Sequence, residues 1–437
     1  MAKKTIFILG AGLAGLSTAW HLKEKGVDCQ IFEKESAAGG LCRSKKMQGF
    51  TFDCDGHLLH FRHRYPFELV KILLKDNLAL HLRSSWIYSN RCYTRYPFQA
   101  NLYGLPSRVI KDCILGFLEV SQRRRPGNKK KESFLEWIKH TFGEGISRHF
   151  MIPYNSKFWT VPPEELTCEW LDGFVPVPSL KDIVDGALGD EGRQFGYNAH
   201  FWYPKKGGIG QLVSAFAAHL KNIHTANTVT RIDLDKREIE LSGGKRERFD
   251  YLVSSIPLPE IPFLVQGLPS GIRSWFGRLR WNSILNLNLG LSGSNHLNRH
   301  WVYFPEKKVS FFRVGFYHNF SEDLVPRGKH SMYIEASYSP DRPPNKKKIA
   351  ERMKSDLKDL GILSPKARIH AQEFNDIKYG YPLYDRNYLP AREKIFGFLE
   401  KNRMFACGRY GSWRYLSMAD VIMEGRILAE KIYRIVR

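Results

Sequence analysis

The feature that most constrains the fold is a glycine-rich turn near the start of the sequence. Thr5 to Leu9 is an apolar run typical of a buried strand, and Gly10, Gly12 and Gly15 follow it as Gly-x-Gly-x-x-Gly. Ala14 to Lys25 then carries apolar residues near helical spacing. In such a unit the first glycine permits a tight turn, the second lets the backbone approach a pyrophosphate, and the third lets the helix pack on the strand. The sequence therefore predicts a dinucleotide-binding strand–turn–helix.

The residues after this unit support the same interpretation. Cys29 to Phe32 reads as a second strand that ends at Glu33, whose carboxylate can accept ribose hydroxyls. Gly39, Gly40 and Arg43 suit a second close approach to phosphate. A lone glycine motif can be a turn that binds nothing, but here the strand, the helix and the distant acid agree. The whole pattern resembles flavoproteins of the glutathione-reductase and amine-oxidase type, which implies FAD as the cofactor.

Composition narrows the function classes. With 437 residues, two or three domains are expected. The net charge of +23 favours polyanionic ligands, although no nucleic-acid recognition module accompanies it. Seven cysteines without a Cys-x-x-Cys pair predict reduced thiols and no metal site. The absence of a long apolar run predicts a cytoplasmic protein. The basic segment 123–131 is interpreted first as a solvated loop, and second as a weak contact with an anionic membrane surface.

The order of predicted elements indicates an α/β fold with interruptions. We expect a discontinuous Rossmann-like FAD-binding domain, a mainly helical insertion on the substrate side, and an antiparallel-sheet substrate domain. Because prolines flank and enter residues 151–162, that aromatic stretch is predicted to be an ordered loop. The predicted boundaries are 1–64, 198–262 and 395–437 for the FAD-binding domain, 65–197 for the insertion, and 263–394 for the substrate domain.

Further segments are predicted to reach the cofactor. Asp55 and Gly56 form a turn that presents His57, which on its own could equally be a structural histidine. The strand around Val229 returns to the nucleotide domain, and Gly408 lies in a later strand, glycine turn and helix. Gly56, Val229 and Gly408 are therefore candidate cofactor-binding residues.

Six ordered blocks carry a more specific resemblance: 96–101, 153–162, 198–204, 301–306, 380–382 and 408–415. In this order they resemble the UDP-galactopyranose mutases, in particular the longer, eukaryotic-type branch, over nearly the whole chain. The resemblance implies that reduced FAD attacks the anomeric carbon of a nucleotide sugar through N5, that UDP leaves, and that the sugar ring opens and recloses before UDP returns. It also implies a place in glycan or cell-surface polysaccharide synthesis, with NAD(P)H as the reductant.

The resemblance also assigns site residues. It places Arg313 on the diphosphate with the hydroxyls of Tyr303, Tyr381 and Tyr415, and His57 against the flavin. Taken singly, the arginine could be a strand-surface residue and the tyrosines core residues. The catalytic set is Arg313, Tyr381, Tyr415 and His57, and the substrate-binding set is Tyr96, Gln99, Trp159, Asn198 and Tyr303.

Two departures from the family pattern keep other functions open. Phe174 stands where the family carries a second diphosphate arginine, so Arg414 or Lys205 compensates or the substrate differs. The turn after Tyr415 is altered and shorter, and a register-shifted Asp420 is the candidate for its cofactor-binding acid. The alternatives are a flavin oxidoreductase of the amine-oxidase or protoporphyrinogen-oxidase kind, and a non-catalytic FAD-stabilised protein in a glycan pathway.

Overall fold

The computed structural model describes residues 4–123, 132–171, 174–189, 199–293 and 297–437. The strands are β1 (Ile6–Leu9), β2 (Gln30–Phe32), β3 (Ser44–Met47), β4 (Phe50–Asp53), β5 (Ala79–Leu82), β6 (Ser85–Ser89), β7 (Cys92–Arg95), β8 (His200–Tyr203), β9 (Ile223–His224), β10 (Val229–Asp233), β11 (Glu238–Leu241), β12 (Arg246–Arg248), β13 (Tyr251–Ser254), β14 (Trp281–Ser292), β15 (Trp301–Tyr303), β16 (Arg313–Gly315), β17 (His330–Tyr338), β18 (Arg368–Pro382) and β19 (Met404–Ala406). The helices are α1 (Leu13–Glu24), α2 (Arg64–Leu74), α3 (Ser107–Ser121), α4 (Phe134–Ile146), α5 (Ile152–Trp159), α6 (Leu180–Leu188), α7 (Gly210–Ala218), α8 (Ile261–Leu264), α9 (Ser270–Phe276), α10 (Lys346–Asp359), α11 (Tyr388–Lys401), α12 (Gly408–Gly411) and α13 (Met418–Val436).

The first layer is a parallel sheet with the strand order β19-β13-β1-β2-β9. Every residue of β1 and β13 is buried, as expected of central strands covered on both faces. The strands come from separated parts of the chain, so the predicted Rossmann-like, discontinuous α/β fold is confirmed.

Close packing of α1 explains the third glycine of the motif. A Cβ atom on Gly15 would lie 2.0 Å from the carbonyl oxygen of Gly10, so only glycine lets the helix sit this near the turn. On its outer side α1 packs against α13, where a Cβ on Gly425 would lie 2.5 Å from Ser17 Oγ. The two helices therefore cover the sheet as one tightly fitted layer.

The helical insertion differs from the sequence prediction at one segment. Residues 152–159 form the helix α5, and the prediction of a loop across 151–162 is wrong there. Pro153 lies in the first turn of α5, where the N–H that proline lacks would have no helical acceptor. Left-handed Thr160 (φ 62°) then ends the helix immediately after Trp159.

The substrate-side sheet has the strand order β18-β14-β17-β16-β15-β6-β7. Its pairings are antiparallel except that β15 runs parallel to β6. The predicted antiparallel sheet is therefore mixed at this one edge. The parallel pair joins the hairpin β6–β7, which precedes the long helices in sequence, to a sheet built mainly from later strands.

One buried residue, Asp53, connects strands β3 and β8 with the substrate-side sheet. Asp53 lies at the end of β4, and its carboxylate accepts hydrogen bonds from Ser44 Oγ (2.6 Å) and the Tyr203 hydroxyl (2.6 Å). Its backbone oxygen accepts from Asn288 Nδ2 (3.0 Å) and the Tyr317 hydroxyl (3.1 Å), on the substrate side. Burial raises the pKa of Asp53 to about 6. These bonds fix the start of the turn that carries Asp55, Gly56 and His57.

Some predictions concern residues outside the described ranges. Asn198 and residues 124–131 of the basic segment belong to this group, whereas Arg123 is described and exposed. Among the helices of the described residues, none combines the length and apolar character that crossing a membrane requires.

Candidate functional site

The predicted dinucleotide turn forms a cradle of backbone atoms. Gly10 (φ +94°) and Gly39 (φ +126°) adopt conformations that favour glycine, and Gly12 forms an isolated parallel bridge with Gly39. Gly39 N donates to Ala11 O at 2.8 Å, and a Cβ on Gly40 would lie 3.1 Å from Gly12 Cα. The two glycine turns therefore meet at the first turn of α1, whose N-cap residue offers no capping side chain. This leaves backbone amides at a helix N-terminus, where anions bind.

Glu33 lies at the edge of this cradle. Its buried carboxylate accepts from Ala11 N at 2.7 Å and from Glu35 N at 3.0 Å. Asn227 N donates to the Glu33 carbonyl at 2.9 Å, which brings the segment leading to Val229 beside it. The side chain of Val229 itself is buried in the core. Arg43 Nε donates to Gly40 O at 2.9 Å and so supports the second glycine turn.

The later glycine turn approaches the same cradle. Gly408 has φ +82°, and a Cβ there would lie 2.5 Å from the Ala14 Cβ at the start of α1. Asp420 lies in the first turn of α13, and its carboxylate accepts from Ser417 N (2.9 Å) and Ser417 Oγ (2.7 Å) in a capping box. The structure therefore places Gly408 against the first glycine turn and engages Asp420 in capping its own helix.

On the substrate side, Arg313 pairs with an acid that the sequence analysis did not single out. Arg313 on β16 lies directly opposite Glu335 on β17, and its Nε and Nη2 both contact that carboxyl group, Nη2 to Oε1 at 2.8 Å. The Glu335 side chain is fully buried, and that of Arg313 is 17% exposed. Asp55 lies next to Glu335 and accepts from Gly56 N at 2.8 Å.

The pKa values of these two carboxyl groups shift in opposite directions beside one guanidinium. Burial raises the pKa of Glu335 well above its usual range, with Asp55 adding repulsion. Although burial opposes it, the hydrogen bond from Glu335 and the charge of Arg313 lower the pKa of Asp55. The two pKa shifts have opposite directions, so a proton taken up by this pair favours Glu335 over Asp55, while Arg313 keeps its charge.

The predicted tyrosines gather around this network. Tyr381 stacks on Tyr415 with ring centroids 5.4 Å apart, and Tyr303 lies 5.4 Å from Tyr96 and 5.5 Å from Tyr154. Burial raises the pKa of Tyr154, Tyr381 and Tyr415, and the positive charge of Arg313 lowers it in part, so Arg313 is close to all three hydroxyls. We call the following residues the tyrosine cluster: Tyr96, Tyr154, Tyr303, Tyr381 and Tyr415.

A second, half-buried cation lies under the stacked pair. Arg409 has its guanidinium carbon 5.2 Å from the Tyr381 ring centroid and 5.4 Å from that of Tyr415. Its Nε donates to Leu416 O at 2.8 Å. Burial raises the pKa of Tyr381 and Tyr415, so both hydroxyls stay protonated at neutral pH and can donate hydrogen bonds.

The remaining predicted residues differ in their placement. Trp159 is buried 6.0 Å from Tyr381, and its indole N–H has no hydrogen-bond partner among the described residues. His57 is near Asp55, whose carbonyl lies 3.2 Å from Nδ1, and burial lowers the pKa of His57. Gln99 is buried and donates to Pro176 O at 2.6 Å, so its amide holds the segment after Phe174.

The two compensating cations considered from the sequence are placed unfavourably. Arg414 is paired with Glu424. Lys205 lies in an exposed turn whose carbonyl accepts from Ser321. At Phe174 the structure instead brings Arg62, with its guanidinium carbon 4.2 Å from the ring centroid.

The residues present fit FAD. Gly10, Gly39, Gly40 and Gly408 all have positive φ in this cradle, where a side chain would be strained, and an acid, Glu33, lies at its edge. The turn at Gly56 is equally tight, since a Cβ there would lie 2.5 Å from the Tyr333 hydroxyl, a buried group without a hydrogen-bond partner among the described residues. Gly408 packs on the cradle and the next residue, Arg409, lies under Tyr381 and Tyr415, so the cradle and the tyrosine cluster are neighbours.

Comparison with known proteins assigns the class. The family model for flavin-containing amine oxidoreductases matches residues 13–433, and the chain belongs to this family of FAD-dependent enzymes. Within it, the chain is similar over 99% of its length to a crystal structure of reduced UDP-galactopyranose mutase, with 27% identity, a TM-score of 0.93 and 96% of that chain covered. The predicted mutase-like flavoprotein is confirmed at this level.

Curated relatives carry other activities. A Dictyostelium discoideum relative of the flavin-containing monoamine oxidase A type is 22% identical over 272 residues, 58% of this chain and 57% of the relative. A zeta-carotene-forming phytoene desaturase of Myxococcus xanthus is 42% identical over 50 residues, 11% of this chain and 10% of the relative. The chain thus aligns with little more than half, or only a tenth, of these two proteins.

Sequence reasoning missed several residues of the site. Tyr154 and Arg409 stood within blocks already singled out, so their neighbours could have indicated them. Glu335 had a signal of another kind, a charged residue inside the apolar strand 331–337. Arg62 had none, because only the fold brings it to Phe174.

Proposed function

We propose that this protein interconverts the pyranose and furanose ring forms of a UDP-linked sugar, as an FAD-dependent mutase. The observation that carries the proposal is the convergence of Arg313 and Arg409 with the tyrosine cluster around one site. Two cations and several protonated hydroxyls suit a diphosphate that must be held while it leaves and returns. The likeness to the reduced UDP-galactopyranose mutase over nearly the full chain supports the same assignment.

The glycine cradle and Glu33 would hold FAD, and reduced FAD would supply the nucleophile for the anomeric carbon. The chain's own residues do the rest of the work. Arg313 supplies positive charge to the diphosphate, and Glu335 and Asp55 fix the orientation of its guanidinium. Hydrogen bonds to developing charge strengthen as the UDP leaves, which lowers the barrier.

The tyrosine cluster donates hydrogen bonds, and the aromatic side chains around it exclude water. Burial keeps the hydroxyls of Tyr381 and Tyr415 protonated, so they offer O–H donors to the diphosphate throughout the reaction. The Trp159 indole N–H is a buried donor that a sugar hydroxyl would satisfy. Phe158, with its ring centroid 4.8 Å from that of Tyr381, adds an apolar wall that keeps solvent out.

The test is turnover by the FAD-loaded protein. Dithionite-reduced enzyme should convert UDP-galactofuranose to UDP-galactopyranose in a chromatographic assay, and the oxidised enzyme should not. Tyr381→Phe and Tyr415→Phe should each lower kcat/KM by about 10- to 100-fold, as expected for one lost donor to a charged group. The matched control is Tyr379→Phe, which removes a hydroxyl on the same strand that is bonded to Glu260 (2.6 Å). Equal losses in all three variants, or turnover without reduction, would contradict the assignment.

A second candidate is an oxidoreductase acting on an apolar or amine substrate. The names of the curated relatives favour it, since they include a monoamine oxidase type and a carotenoid desaturase. It predicts that a substrate bleaches the oxidised flavin absorbance under anaerobic conditions, whereas the mutase proposal predicts no net redox change by the sugar nucleotide. For the mutase, NAD(P)H is the proposed reductant, and anaerobic mixing with NADPH should bleach the same absorbance.

A further inference from the structure

We infer that Arg62 is a third cation for the diphosphate, beside Arg313 and Arg409, and that stacking on Phe174 holds it next to the site. This inference rests on the proposed function and adds a specificity-determining residue to it. Arg62 is exposed and its guanidinium carbon lies 4.2 Å from the Phe174 ring centroid. The Phe174 ring in turn meets the edge of Tyr415 at 4.7 Å. Arg62 is thus connected to the tyrosine cluster through one aromatic ring.

A further cation suits this position. Arg313 and Arg409 supply two positive charges, and the carboxyl groups of Glu335 and Asp55 beside Arg313 offset part of that charge. The two guanidinium groups alone therefore leave part of a diphosphate's negative charge unmatched. Arg62 would supply further positive charge.

The geometry of stacking suits this task. A guanidinium that rests its flat face on an aromatic ring keeps its N–H edge directed sideways, where it can bind phosphate oxygens in a bidentate manner. Stacking also restricts a long side chain that would otherwise lose much rotamer entropy on binding. Phe174 therefore acts as a platform for Arg62, and the position next to Tyr415 need not carry an arginine of its own.

The experiment measures binding of UDP and of uridine to the FAD-loaded protein by calorimetry. Arg62→Ala should weaken UDP binding about tenfold or more and leave uridine binding within about twofold, because only UDP carries the phosphates. The double variant Arg62→Ala with Phe174→Arg should recover UDP affinity to within about threefold of the parent. Arg64→Ala is the matched control, since Arg64 is an exposed neighbour 3.5 Å from Glu68 and should leave both affinities unchanged.

The outcomes separate this inference from the proposed function. Equal UDP binding by Arg62→Ala and the parent would overturn the role of Arg62 and leave the mutase proposal standing. Loss of UDP and uridine affinity to the same degree would also overturn it, since that pattern reports a damaged site. Failure of the parent protein to bind UDP would overturn both. Flavin content and Tm of each variant confirm that the exposed substitution leaves the fold intact.

Discussion

The opposite pKa shifts of Glu335 and Asp55 predict that the two carboxyl groups share one proton, which has a specific consequence for stability. Glu335→Gln should be mild, because the amide nitrogen can donate to Asp55 in place of the acid proton and the amide oxygen still accepts one of the two hydrogen bonds from Arg313. Asp55→Asn should be mild too, because Glu335 can then ionise and remain the counter-charge of Arg313. Each single change should cost about 1 kcal/mol or less, the scale of one neutral hydrogen bond.

The double variant should behave differently. With both carboxyl groups replaced by amides, the buried guanidinium of Arg313 has no negative partner in this network, which costs about 3–5 kcal/mol. An unfolding entropy of about 2.1 cal/mol/K per residue gives roughly 0.9 kcal/mol/K for a chain of this length, or about 1 °C in Tm per kcal/mol. The single variants should therefore lower Tm by about 1 °C each, and the double variant by about 3–5 °C.

The assay is calorimetry of the FAD-loaded variants as a double-mutant cycle. An exposed pair gives the control: Lys431→Met and Glu400→Gln break a contact of 2.7 Å, and their effects should add within about 0.5 kcal/mol. If the losses of Glu335→Gln and Asp55→Asn simply sum to that of the double variant, the two carboxyl groups do not share a proton and the reasoning is refuted.

Two further predictions follow from burial. Three buried or half-buried histidines have their pKa lowered by burial to about 4: His21, His60 and His300. Their neutral form is required in the fold, so the stability they contribute is present above pH 6.5 and is lost as the pH falls from 6.5 to 4; the raised pKa of Asp53 has the opposite sign and offsets part of this. Tm should therefore drop by several degrees across that window, and a flat profile between pH 7 and 5 would count against it. Gly15→Ala should abolish FAD retention, because its Cβ would lie 2.0 Å from Gly10 O, whereas Gly271→Ala, which meets open space, should retain the flavin absorbance of the parent.

The local units of this protein could be predicted from its sequence. The strand, glycine turn and helix around Gly10 depend on short-range patterns, and so do the sheet-forming runs of the substrate side. The prediction of a loop at α5 failed because a proline in the first turn of a helix and a proline in a loop look alike in the sequence. Only the position at which the helix begins distinguishes the two cases. Short-range patterns were therefore sufficient where the local sequence is compatible with only one kind of secondary structure.

The pairings across the fold could not be predicted in the same way. The contact between Arg313 and Glu335 depends on the register of two neighbouring strands, and a shift by one residue would place one of the two side chains on the other face. The stack of Arg62 on Phe174 joins two loops distant in sequence. Resemblance to a family singled out Arg313 and the tyrosines as candidate site residues. It gave no information about Arg62, because at Phe174 this chain departs from the family pattern.

The order of strands in the parallel sheet has a consequence for biosynthesis. The sheet pairs β1 with β13 and β13 with β19, so the earliest strand depends on partners translated far later. At about 5–20 residues per second, roughly 20 s or more pass on the ribosome between the emergence of β1 and that of β19. Throughout that interval the sheet is incomplete, because β1 can pair with β2 early but gains β13 only much later, and β19 follows last. Gly408, which packs against the start of α1, comes after β19, so the glycine cradle is completed only when synthesis is nearly finished.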